Sequence, residues 1–467
     1  MSKHIILLLF AGSLFGFQSC KKEKPIDQPN VIIILTDDQG YADVGFNGCK
    51  DIPTPNIDRL AMNGVMFTNG YVSYTVCGPS RAGLITGRYQ DRFGFGRNPL
   101  FAPNDRDQGL PLSEETLATA LDKVGYQTMA IGKWHLGAHE SLRPLNRGFD
   151  EFFGFLTGGH QYFPELWTLM DISEVKSQFD AYNTKLLQNN TRVDEHEYLT
   201  DALSREAVRF IERNAGNPFF LYLAYNAPHT PLQATEKYLK RFSHIDDKKR
   251  RTYAAMVSSV DDGIGELLDK LEELNIHENT IVFFLSDNGG PYKTNGSRND
   301  PLREGKGSLY EGGIRVPFAM QWLEKIPPGQ VYDQPIISLD IFVTVADYAG
   351  AEPGKPLDGV NLVPYLLGEE QGVPHEQLFW RKFDSNSYAV RSGDLKLVNM
   401  NGKQNELYNL VEDIGESQEL ETDKELQRLL NAKNEWKSTM MDPIFLGLRH
   451  NNEYNELNPH RFEIKPY

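Results

Sequence analysis

Apolar positions along this chain follow two rhythms. The unbroken run Val31, Ile32, Ile33, Ile34, Leu35 predicts a strand covered on both faces, and residues 127–131, 219–225 and 280–285 predict three more. Between these runs the spacing lengthens to that of helices. Residues 56–62 follow Thr54-Pro55, a helix start, and stop before Gly64. Ser113 is the expected cap of a helix that shows Leu117, Leu121 and Val124 on one face and closes at Gly125. Residues 201–213 have helical spacing through Ala202, Val208 and Ile211, and residues 251–274 predict a long amphipathic helix. Strands alternating with helices predict an α/β fold, with a mostly parallel central sheet flanked by helices. Past residue 365 the pattern changes. Residues 377–380, 388–391 and 396–399 predict short antiparallel strands and residues 424–436 a helix, a smaller C-terminal α+β subdomain. The expected division is a main domain over 30–365 and a subdomain over 366–467.

With 467 residues, 40% of them hydrophobic, the chain has material for both units. Its net charge of -16 argues against a nucleic-acid partner, so any anion must be held in a local pocket of lysine, arginine or metal. Lys3 and His4 precede the apolar residues 5–17, too short a run to span a bilayer, and residues 1–19 read as a signal peptide. The sequence Phe17-Gln18-Ser19-Cys20 resembles a bacterial lipobox, with Phe17 where leucine is usual. That resemblance implies lipidation of Cys20, a tether over 20–29, export to the periplasm, and membrane contact only through the lipid. Cys49 has no evident partner; a disulfide to Cys77 stays open in an exported chain.

Chemistry-bearing residues collect where the predicted strands end, the edge at which open α/β sheets bind ligands. The four runs lead into Thr36-Asp37-Asp38-Gln39-Gly40, Gly132-Lys133-Trp134-His135, Asn226-Ala227-Pro228-His229 and Ser286-Asp287-Asn288-Gly289-Gly290. An isolated Asp-Asp pair reads as a polar turn. A second acidic strand end makes Asp37, Asp38, Asp287 and Asn288 candidate ligands of a hard cation such as Ca²⁺ or Mg²⁺. Lys133 offers a fixed positive charge, and His135 and His229 can exchange protons. The remaining histidines, His375 among them, read as structural. Cys77 precedes Pro79, the expected first residue of a helix, and a group there would face the free N–H groups of the helix start, with Arg81 one turn on. A low-pKa or merely buried thiol is the competing reading.

Cys77-Gly78-Pro79-Ser80-Arg81, followed by Leu84-Ile85-Thr86-Gly87-Arg88, resembles the signature of the type I sulfatases. The strand-end motifs above, Ala227-Pro228-His229, and Gly305-Lys306-Gly307-Ser308-Leu309-Tyr310-Glu311-Gly312-Gly313 resemble further family motifs in the expected order, over nearly the whole mature chain. The resemblance implies the fold of the alkaline phosphatase superfamily and conversion of Cys77 to formylglycine by a maturation enzyme. It implies one Ca²⁺ on Asp37, Asp38, Asp287, Asn288 and residue 77. A hydroxyl of the hydrated aldehyde would attack the sulfur of a sulfate ester while the metal, Lys133 and Lys306 neutralise the sulfate oxygens. His229 would protonate the leaving oxygen, the second hydroxyl would lose its proton toward His135 so that sulfate departs, and Arg81 would orient the diol. Arg88 is expected to tie the helix to the fold. The implied substrate is a sulfated carbohydrate, with exo action expected. Candidate sugar contacts are Arg97, His160, Gln161, Trp380 and Arg381. A phosphatase or phosphodiesterase of the same superfamily and a non-catalytic sulfated-glycan binder are the alternatives.

Overall fold

The computed structural model describes residues 28–170 and 174–463. The signal segment, Cys20 and all but the last two tether residues lie outside the described residues. The strand Asn30–Thr36 lies near the middle of a ten-stranded sheet. Thr280–Ser286 pairs with it on one side and Phe219–Ala224 on the other, then Gln127–Lys133 and Glu151–Phe155 follow, all parallel. Beyond these five, Phe318–Gln321 runs antiparallel beside Thr280–Ser286, and Leu186–Gln188 antiparallel beside Glu151–Phe155.

Successive side chains of a strand point to opposite faces, and both faces here are covered. Val31, Ile33 and Leu35 pack with Leu84 and Ile85 of the Cys77–Thr86 helix and with Phe342 and Val345 of the Asp340–Ala349 helix. Ile32 and Ile34 pack on the other side against the helices Pro55–Met62, Leu199–Asn214 and Lys248–Glu273. The register brings the strand ends level: Thr36 pairs with Ser286, and Ala224 with both Leu35 and Gly132. Residues 37, 133, 226 and 287 therefore emerge along one edge.

The expected α/β class is the observed one, and the differences are local. The helix expected from Ser113 is capped by Thr116, whose hydroxyl accepts from Thr119 N, and spans Leu117–Asp122. The long helix begins at Lys248, because Asp247 accepts from Lys249 N and Arg250 N. Val208 is half-buried while Phe210 and Ile211 take the core face. The Cys77 helix begins at Cys77 itself, two residues before Pro79. Cys49 and Cys77 are both free thiols, so no disulfide joins them; Cys49 lies instead beside Asp51 and Arg250.

The C-terminal strands Leu378–Lys382, Ser387–Ser392, Leu395–Asn399 and Asn405–Asn409 form an antiparallel meander, with the helix Asp423–Ser438 against one face. The other face docks on the main sheet's domain. Trp380 lies against Tyr71 and donates its indole N–H to Val72 O at 2.7 Å. Lys396, fully buried, is held between Glu311 at 2.7 Å and Glu416 at 2.8 Å. The approach to this sheet is pinned by His375, whose Nε2 is 2.7 Å from Asp340 Oδ1. Burial disfavours the charged ring, but the Asp340 carboxylate and its hydrogen bond outweigh that, so the pKa is raised. A raised histidine pKa adds stability that is full below about 6.5, the unfolded value, and is lost as pH rises through the folded value. His375→Gln is therefore expected to lower the thermal midpoint most at pH 5–6 and least at about pH 9. A midpoint difference that does not narrow over that range would remove the ion pair from the account.

Candidate active site

The level strand ends deliver Asp37, Asp38, Lys133, Asp287 and Asn288 into one buried space, and the helix starting at Cys77 points its first residue at them. Backbone bonds extend the sheet past its last paired residues: Asp287 N donates to Thr36 O at 2.9 Å and Asp37 N to Ala227 O at 3.2 Å. Cys77 Sγ lies 3.4 Å from Asp37 Oδ1 and 3.1 Å from Lys306 Nζ. Lys133 Nζ is 2.5 Å from Asp37 Oδ2 and Lys306 Nζ is 2.6 Å from Asp38 Oδ1. Arg81, with no exposed surface, places Nη2 2.8 Å and Nε 2.9 Å from Asp287 Oδ2, and donates from Nη1 to Lys133 O at 2.9 Å. The expected helix-tying role of Arg88 corresponds to an ion pair with Glu114.

Buried charges reset one another's protonation. Burial works against the Asp38 carboxylate, yet Lys306 and then His229 hold it down at about 2. Burial, followed by the Asp37 charge, pushes Asp287 up to about 6. Burial and then Asp287 push the Cys77 thiol up to about 12. His135 is driven well below its ordinary value by burial and then by Lys133 and Arg81. His229 is pushed down to about 3, chiefly by burial. Its Nδ1 lies 2.6 Å from Thr230 O and its Nε2 3.6 Å from Asp38 Oδ2, so Nδ1 carries the proton of the neutral ring.

A cation fits this donor set. Asp37, Asp38, Cys77 and His229 each offer a ligand atom within 4.8 Å of the others. Asn288 gives its amide N–H to Asp38 Oδ1 at 2.7 Å, while its buried Oδ1 has no hydrogen-bond partner among the described residues. Three carboxylates and an orphaned amide oxygen suit a hard ion.

The structure thus brings together Cys77, Arg81, Lys133, His135, His229, Lys306 and the four acidic-end residues. It treats the candidate sugar contacts differently. His160 is fully buried, with its ring nitrogens 2.8 Å from Gln161 O and Thr184 O. Trp380 is buried on Val72, and Arg381 is buried with Nη2 2.6 Å from Asp442. These three serve the framework, because their polar atoms are spent inside the protein. Gln161 is half-buried and accepts from Gln233 at 2.8 Å. Arg97 does line an open cleft, but its Nε is held 2.9 Å from Asp384.

Two neighbours carried no visible sequence signal. Thr75 accepts from Gly307 N at 3.0 Å and donates to Ser308 O at 2.5 Å, which fixes the Lys306 loop against the segment entering the Cys77 helix. The phenol of Tyr182, half-buried, is pushed up by burial and then by Cys77 and Asp37, which places it beside the site.

Groups so arranged suit hydrolysis of an ester that carries its own negative charge. Comparison narrows that class. The sulfatase family model matches residues 29–351, and that of the N-sulphoglucosamine sulphohydrolase C-terminal region matches residues 305–441. Human N-acetylgalactosamine-6-sulfatase is 36% identical over 356 residues, which cover 73% of this chain and 66%, just under two thirds, of the human protein. Arylsulfatase of Hemicentrotus pulcherrimus is 35% identical over 393 residues, 81% of this chain and 69% of that protein. The crystal structure of Ps i-CgsB in complex with k-i-k-neocarrahexaose aligns with a TM-score of 0.86 at 38% identity, over 94% of this chain and 100% of that one. That of PsFucS1 sulfatase from Pseudoalteromonas sp. aligns with a TM-score of 0.76 at 27% identity, over 88% and 90%. The chain belongs to the sulfatase family, within the alkaline phosphatase superfamily.

The Arg81–Asp287 pair should dominate local stability. Removing one partner of a buried pair leaves an uncompensated charge, at about 3–5 kcal/mol. Asp287→Asn, unfolded in urea with a chelator present so that only the pair is probed, is expected to lose that much. A loss under about 1 kcal/mol would mean that Asp37, 3.9 Å from Arg81 Nη2, carries the compensation instead.

Proposed function

We propose that this sulfatase removes sulfate from the end of a sulfated glycan, with Cys77 converted to formylglycine and one Ca²⁺ held by Asp37, Asp38, Asp287, Asn288 and residue 77. The observation that carries the reading is the contact of Cys77 with both Asp37 and Lys306, which puts one side chain against the cation donors and an anion-binding ammonium together. A sulfated carbohydrate as substrate is supported by similarity to N-acetylgalactosamine-6-sulfatase and to a protein crystallised with k-i-k-neocarrahexaose. Exo action is supported by the depth of the site, since only the side chains of Lys306 and His229 keep noticeable exposure, 18% and 14%.

When present, the calcium ion supplies Lewis acidity and formylglycine supplies a hydroxyl nucleophile. The chain's own residues do the rest. Lys133 and Lys306 lie where they can neutralise sulfate oxygens in a space that excludes water, where such charges act strongly. The start of the Cys77–Thr86 helix carries residue 77, and Arg81, one turn on, fixes Asp287 and the Lys133 carbonyl around it. As the sulfur–oxygen bond breaks, its electron pair leaves with the sugar oxygen, and His229 Nε2 delivers a proton there. The negative charge of the bound ester favours the protonated ring that this transfer needs. His135, kept neutral and with Nδ1 lacking a hydrogen-bond partner among the described residues, is the proton acceptor for the release of sulfate. A maturation enzyme that forms formylglycine, and a periplasmic location with a lipid at Cys20, complete the proposal.

Mass spectrometry of the peptide carrying Cys77, from protein made in a host with that maturation activity, is expected to show the aldehyde. An intact thiol in protein that turns over would overturn the mechanism. Metal analysis is expected to find one calcium per chain, and two zinc ions would favour a phosphatase or phosphodiesterase. Cys77→Ser is expected to lose multiple turnover, by at least about 10³-fold in kcat, while still binding sulfated glycan. Turnover at the native rate would exclude formylglycine as the nucleophile.

A further inference from the structure

Cations run outward from the reacting centre across the C-terminal subdomain. Lys306 and Arg449 line one cleft of about 380 Å³. Arg449 also lines the next, of about 200 Å³, with Lys382 and Arg97. Lys382 in turn lines a third, of about 430 Å³, with Lys433 and Lys437. The shared residues make the three clefts neighbours in a row that begins beside the catalytic lysine.

These cations lack the partners that surface cations usually have. Among the described residues, Arg449, Lys382, Lys433 and Lys437 make no ion pair. Lys382 donates to Gly307 O, and Lys433 lies 4.4 Å over the ring of Tyr388. The carboxylates along the row are engaged elsewhere, Asp384 by Arg97 and Asp442 by Arg381; among the described residues lining the three clefts, Glu304 is left to oppose them. Like charges also face one another. Burial and then Arg449 lower the Lys382 pKa, and burial and then Lys437 lower that of Lys433. In a chain of net charge -16, grouping unpaired cations costs stability unless an anion neutralises them in use.

We propose that Arg449, Lys382, Lys433 and Lys437 form an anion-binding track that holds the sulfated remainder of the substrate chain, outside the pocket that takes the reacting ester. The proposal rests on the sulfatase reading above and adds where a multiply sulfated glycan lies. The chain end enters the deep site, and further sulfates meet the track at the rim, which also carries the exposed ring of Phe383.

Calorimetric titration of the full chain carrying Cys77→Ala tests this, with low-molecular-mass dextran sulfate and inorganic sulfate as probes. Lys382 is left intact, because it touches the Lys306 loop. Adding Arg449→Gln, Lys433→Gln and Lys437→Gln is expected to weaken dextran sulfate about tenfold or more and to flatten its salt dependence. Inorganic sulfate, whose proposed site is the Lys133 and Lys306 pocket, should bind unchanged, and Arg449→Lys in place of Arg449→Gln should recover part of the loss. Undiminished dextran sulfate binding would overturn the track. A single-stranded oligonucleotide that bound as tightly through the same residues would overturn the assignment to a glycan. Loss of inorganic sulfate binding alone, with dextran sulfate still dependent on the three substituted cations, would keep the track and count against the proposed pocket.

Discussion

Asp37, Asp38, Asp287, Arg81 and Lys133 are buried together, and everything else in the molecule depends on their remaining balanced. A charge withdrawn from water without a partner costs several kcal/mol, a sizeable part of what holds a domain folded. The balance is geometric. It needs the ends of three parallel strands level to within a residue, because a one-step slip would turn Asp37 or Lys133 to the opposite face. The apolar residues on both faces of Asn30–Thr36 enforce that register, so the core sets the positions of the charges it does not touch.

The same features governed what could be read in advance. Continuous apolar runs are a strong signal, and the four strands they predict are four of the five that run parallel side by side at the centre of the sheet. The polar residues closing those runs were legible because strand ends in such sheets face ligands. Residues 151–155 were missed because Gly154 interrupts the apolar run Phe152, Phe153, Phe155. Ser113 failed as a cap because Thr116, three residues on, holds the free N–H of Thr119. Three of the five candidate sugar contacts are spent on the framework, for a different reason. His160, Trp380 and Arg381 have side chains suited to carbohydrate, but residue type says nothing of whether the polar atoms are already spent inside the fold. Thr75 and Tyr182 reach the site from segments with no motif, and only the tertiary arrangement brings them there.

The C-terminal sheet is no passive appendage. Trp380 reaches the segment just before the Cys77 helix through Val72, Lys382 reaches the Lys306 loop through Gly307, and Lys396 is clamped to Glu311 at the end of the same glycine-rich motif. Two walls of the pocket are therefore braced by residues more than 70 positions further along the chain. The small domain sets the positions of the Cys77 approach and the lysine loop.

The burial of the Cys77 helix bears on the order of events in the life of the chain. Every residue of Cys77–Thr86 is buried, and Cys77 keeps 2% of its surface. No second protein could close its own active site around that sulfur once the sheet, the helix and the C-terminal subdomain have come together. Whatever chemistry residue 77 undergoes at the hands of another enzyme must happen on a nascent or extended chain, in competition with folding. A molecule that folds first is committed to its thiol, and the speed of its own collapse then decides what fraction of each batch stays open to such chemistry.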